Sequence, residues 1–299
     1  MVNYIPVLTT VFSVFFLSRI VPHYLVKRPP YLLWWMLGVL TFGLGTLTES
    51  INAIFGWTEW NTKIWYIVGA LLGGYPLAQG TIYLLMKKRF ADMSALVCSA
   101  VILVAAVCVL SSPIEIPEGF DYRLTGRVFA WQWVRAFSPL LNLYAFVFLF
   151  GGAVYSAIVY LLGKDKANAP FLKVRSLLPS SIILSIIVWI VLFTFIALYL
   201  AIRYISLFGI GVYSAVRYGK RGGGPRFLGN TLIAIGALLP GIGGTFTRFG
   251  YVEVLYITEF IGLTFIYFGY DMMRKDRSAS LHANQQTWGG PLPADPRAT

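Results

Sequence analysis

Apolar runs of about twenty residues recur along the chain, separated by short polar stretches. The core of a bilayer offers no water to satisfy backbone N–H and C=O groups, so a run of this length crosses it only as a helix. Only 12% of the residues are charged, about half the share expected of a soluble domain. The pattern predicts an all-α polytopic membrane bundle, with residues 1–275 as one domain and no separate soluble one. Spans are expected at 4–22, 31–53, 63–86, 93–112 and 136–162, and again at 228–246 and 251–271. The first lacks the basic leader and small-residue cleavage site of a signal peptide, so it is expected to be retained.

The loops divide the charge unequally. Of the 24 Lys and Arg residues, those at Lys27–Arg28, Lys87–Arg89, Lys164–Arg175, Arg217–Arg226 and Arg274–Arg277, with Arg19 and Arg297, fall on one side. Lys63, Arg123, Arg127, Arg135, Arg203 and Arg248 fall on or near the other. Cytoplasmic loops accumulate Lys and Arg, which places the N-terminus outside, the C-terminus in the cytoplasm and the chain in the cell membrane. A net charge of +12 distributed in this way points to anionic lipid headgroups as the partner and away from nucleic acid. The polar segment 276–299, with Pro291, Pro293 and Pro296, is expected to be a disordered cytoplasmic tail.

Residues 177–218 are harder to place. As one helix they would extend about 63 Å, twice the hydrocarbon thickness. Basic loops flank the stretch on both sides, which requires an even number of crossings, so two helices turning near Tyr199–Tyr204 are expected and the total becomes nine. The stretch Leu149–Ala157 recurs as Leu207–Ala215 with seven of nine positions matching. A seven-helix core carrying an inserted or duplicated hairpin, about 163–218, explains that echo. Coincidence between two apolar, glycine-containing helices explains it too.

Ionisable groups inside spans are costly to bury and for that reason point to function. Glu259 is expected about 12 Å below the outer surface, and Asn142 at a similar depth. Glu49 and Asn52 lie one turn apart near the outer end of the second span. With Gln79 they make a candidate solute or ion path, rimmed on the outside by Glu253, Arg248 and Arg135. Simple ion pairing at a hydrated rim is the alternative for Glu49, Glu253, Arg135 and Arg248. Pro76, after Gly73–Gly74, and Pro240, among Gly241, Gly243 and Gly244, are candidate helix kinks of the kind that build transporter sites. Close packing is the plainer role for Gly69 and Gly73, and for Gly229, Gly236 and Gly243 at every seventh position. Trp57, Trp60, Trp131 and Trp133 are read as interfacial anchors.

No spacing of His, Cys or carboxylates forms a metal site, and no nucleotide loop or nucleophile motif is present. Cys98 and Cys108 stand about 15 Å apart on one helix, too far for a disulfide. Seven helices with an outside N-terminus invite comparison with rhodopsins, but the last span has no Lys for a retinal Schiff base, and no cofactor is expected. Three functions remain: a transporter or channel for a small solute or ion, a non-catalytic sensor or assembly protein with a protein partner, and an intramembrane enzyme. The first is favoured by the buried carboxylate and the interrupted third span.

Overall fold

The computed structural model describes residues 4–162, 224–247 and 249–287, with isolated helical positions between 202 and 213. They form helices and connecting loops and no sheet. Among the described residues seven helices are long and apolar enough to cross a membrane: Ile5–Val26, Pro30–Phe55, Glu59–Leu85, Lys88–Ser111, Gln132–Tyr160, Pro225–Thr247 and Val252–Lys275. Their ends fall within about five residues of the spans expected from the sequence. The hairpin expected in 177–218 and most of the second copy of the echo lie outside the described residues.

Apolar side chains also cover the outside of the bundle. Leu96 is 71% exposed and Leu103 66% on the same helix, where water would penalise them and lipid would not. Hydroxyls inside the spans are tied to their own helices: Thr9 to Ile5 O, Thr48 to Gly45 O and Ser50 to Thr46 O. Each of these polar groups is thereby satisfied without water. The chain is an integral, multi-pass membrane protein.

The chain separates into two compact units, 1–156 with 231–267 and 157–230 with 268–299. In the first, helix α1 (Ile5–Lys27) ends where Arg28 turns left-handed, φ 44°, because Pro29 disfavours a right-handed residue before it. Pro30 then opens α2 (Pro30–Phe55). Thr10 and Thr46 share a 2.9 Å hydrogen bond between α1 and α2. Gly56, φ 85°, closes α2, and Thr58 caps α3 (Glu59–Trp65) by accepting from the Asn61 N–H.

The third span is interrupted. After α3 it runs as a π-helical segment, Tyr66–Leu71, turns at Leu72–Gly74, and resumes as α4 (Tyr75–Leu85). A Cβ at Gly73 would collide with the carbonyl of Gly69, so only glycine fits that turn. Pro76 lies in the first turn of α4, so the break precedes it and the proline initiates the next helix instead of kinking one. The carbonyl of Ala70, in the π segment, accepts from Ser138 of the fifth span at 3.1 Å. That span is itself divided into α6 (Phe137–Ala145), a π segment Phe146–Phe150 and α7 (Gly151–Leu162).

Pro240 does not end its helix: α8 (Gly224–Thr247) runs through it. Cβ atoms at Gly236 and Gly262 would each press on the other's carbonyl, and one at Gly243 would meet Thr258 and Leu255 of α9 (Val252–Thr287). The regular glycines are therefore a packing seam, on which the Pro240 ring also rests against Gly262. In the second unit Gly229 continues that pattern against Gly269 and Met273, and the Arg226 guanidinium lies 5.5 Å from the Tyr160 ring. The backbone of α9 is helical as far as Thr287, into the segment read from composition as a tail.

Residues 112–131 fold over the end of the bundle where α5 (Lys88–Ser111) finishes. A single antiparallel bridge, Ile114–Phe129, holds the loop together, with Glu115 N–H donating to Val128 O at 2.8 Å. Phe129 is buried edge-on against Tyr66, 5.0 Å between ring centres. Trp131 and Trp133 stack on each other and remain exposed. Trp57 packs edge-on against Phe120 and Tyr122 of the loop. Lys63, 5% exposed, pairs with Glu59 at 2.8 Å and donates to Leu110 O at 3.2 Å, closing the end of α5.

Candidate functional site

Glu49, Trp65 and Glu259 sit six or seven residues in from the ends of α2, α3 and α9 at Phe55, Glu59 and Val252. That is a depth of about 9–10 Å on three neighbouring chain segments. The shared depth brings the first two together: the Trp65 indole N–H donates to Glu49 Oε1 at 3.1 Å. Glu49 is only 3% exposed. That burial takes it away from the hydrated rim offered as the alternative, where it would pair with Arg135 or Arg248.

Among the described residues no Lys or Arg forms an ion pair with either carboxyl group, and no N–H or O–H reaches Glu49 Oε2 or Glu259 Oε2. Buried polar groups in native proteins almost always have partners, so two unsatisfied carboxyl oxygens call for an explanation. The orphaned atoms continue toward the loop end: Asn52 Oδ1, one turn along α2, and Trp57 Nε1 just beyond that helix are also buried without partners. Tyr256, one turn from Glu259 on α9, is buried as well. Arg123 bridges Asp121 at 2.8 Å and the Gly250 carbonyl at 2.9 Å, strapping the 112–131 loop to the α8–α9 turn.

The remaining candidates lie in other surroundings. Gln79 is fully buried and fully partnered: it accepts from the Tyr144 hydroxyl at 2.6 Å and donates to Ala91 O at 2.8 Å and Ser94 Oγ at 3.2 Å. It ties α4, α5 and α6 together, with Tyr75 donating to Ala95 O beside it. Asn142 is exposed and donates to Ser138 Oγ at 3.1 Å, which buttresses the Ser138–Ala70 bond and brings it no contact with Glu259. Arg135 donates to Gln132 Oε1 at 2.7 Å at the exposed start of the fifth span. Glu253 is half-buried in the first turn of α9, and Arg248 lies outside the described residues.

Trp65 was missed in the sequence. The span expected at 63–86 puts it at the outer end, where an interfacial anchor belongs, and only the helix start at Glu59 places it six residues inside. Among the described residues no three His, Cys, Asp or Glu side chains converge on one point. No protein family, curated protein or solved structure matches the chain.

Proposed function

We propose that this protein is a transporter or channel for a small solute or ion, working in the cell membrane with the Glu49–Glu259 pair as the polar centre of its path. One observation carries the proposal: two carboxyl groups on different spans, Glu49 and Glu259, each bury an oxygen that is left without a donor. Burying such groups costs several kcal/mol unless something satisfies them, and a passing solute, ion or water does so. Asn52 and Trp57 extend the trail of unsatisfied groups toward the 112–131 loop, which the charge asymmetry puts outside. The path therefore opens outward, and the basic loops and anionic headgroups hold the opposite face.

A sensor or assembly protein requires Glu259 only as a structural hydrogen-bonding group. The orphaned Oε2 favours transport over that role. The interrupted third span supports transport as well, since broken helices at membrane depth line the sites of many transporters. Flux of ions and small metabolites into liposomes tests the proposal: wild type moves at least one of them and Glu259→Gln moves none.

A further inference from the structure

Resting on the transport reading, we infer that residues 117–123, the tip of the 112–131 loop, form a lid over the outer entrance of the path, latched by Arg123 to the α8–α9 turn. The root of the loop is fixed. The Ile114–Phe129 bridge joins its two arms, the Ala130 N–H donates to Pro113 O at 2.9 Å, and Val128 and Phe129 are fully buried. The tip is held differently. It turns on itself where the Phe120 N–H donates to Pro117 O at 3.2 Å, and it passes through two left-handed residues, Gly119 at φ 72° and Tyr122 at φ 54°. Glycine adopts that conformation freely and tyrosine does not, so the closed tip holds strain at Tyr122.

The tip covers the outer end of the trail of unmet polar atoms. Phe120 and Tyr122 meet the Trp57 ring edge-on, at 5.7 and 6.1 Å between centres, and the Trp57 indole N–H is buried without an acceptor. Asn52 Oδ1, in the last turn of α2, is buried without a donor. Lifting the tip lets water reach the indole N–H and relaxes Tyr122, and both effects favour an open lid. Opposing them are the aromatic contacts and Arg123, whose guanidinium bridges Asp121 at 2.8 Å and the Gly250 carbonyl at 2.9 Å. Arg123 is therefore the latch: its removal leaves the ring packing in place and frees the tip from the turn.

Hydroxyl-radical footprinting of the full chain in liposomes, read residue by residue by mass spectrometry, tests the latch. Wild-type Trp57 should oxidise more slowly than Trp60, which is exposed in the first turn of α3. Arg123→Ala should speed Trp57 oxidation by about ten-fold, the scale of one charge-assisted hydrogen bond, and leave Trp60 unchanged. Asp121→Asn, which keeps the guanidinium and loosens its hold, should give a smaller rise. Equal Trp57 rates in wild type and Arg123→Ala, or a wild-type Trp57 as reactive as Trp60, would overturn the inference. A matching rise at Phe129 would overturn it too, because the root of the loop would then be unfolding along with its tip. Protection of Trp57 by Arg123 in a chain that moves nothing in the flux assay contradicts transport and leaves the lid standing. Transport by a chain whose Trp57 is never protected contradicts the lid and leaves transport standing.

Discussion

At the scale of single residues, satisfaction of polar groups separates the side chains that hold the bundle together from those that await a partner. Gln79 has its carbonyl oxygen and amide nitrogen engaged by partners on two other helices, which makes it a clamp. Gln79→Leu leaves the Tyr144 hydroxyl and the Ala91 carbonyl without partners, and should cost about 1–3 kcal/mol of stability. Reversible unfolding in mixed micelles measures that loss, while transport by the surviving folded protein should be unchanged. Trp65→Phe keeps an aromatic ring, though a smaller one, and removes the N–H that Glu49 accepts. Its stability should fall by about 1 kcal/mol, and it should impair flux, where Gln79→Leu does not. Equal flux in Trp65→Phe and wild type would separate Trp65 from the path.

At the scale of elements, the third span decides where the path can lie. Its two helical halves are joined through Gly73, where a side chain has no room. Gly73→Ala should lower the thermal midpoint and the folded yield, by strain of about 1–3 kcal/mol. A midpoint equal to wild type would show that the turn is not needed. Much of this level was legible in the residues: the apolar runs located every described span, and Gly73–Gly74–Pro76 marked the interruption. The π segments were not legible, because Tyr66–Leu71 and Phe146–Phe150 are as apolar as any helical turn and their altered ladder leaves no compositional trace. Pro240 shows the converse: a helix breaker among glycines stays inside a continuous helix because Gly262 makes room for its ring.

At the scale of the whole molecule, the carboxyl pair is the feature that no local pattern could reveal. Glu49 and Glu259 lie on the second and last described spans, and hydropathy gives each a depth but not the face it turns to its neighbours. Depth alone made Asn142 and Glu259 look like partners, yet Asn142 is exposed beside Ser138. Deletion of residues 151–208 removes the proposed inserted hairpin and keeps the parity of crossings. The shortened chain should still insert with its termini on the wild-type sides, as cysteine labelling of 112–131 and of the C-terminal segment would show; failure to insert would contradict the insertion. The most direct test of the path is flux in liposomes containing purified protein, with ions and small metabolites offered across an imposed pH gradient. Wild type should move at least one of them, and Glu259→Gln should abolish that movement with its thermal midpoint preserved. Equal flux from wild type and a well-folded Glu259→Gln, or none from either across the panel, would contradict the assignment of the buried carboxyl pair as a transport site.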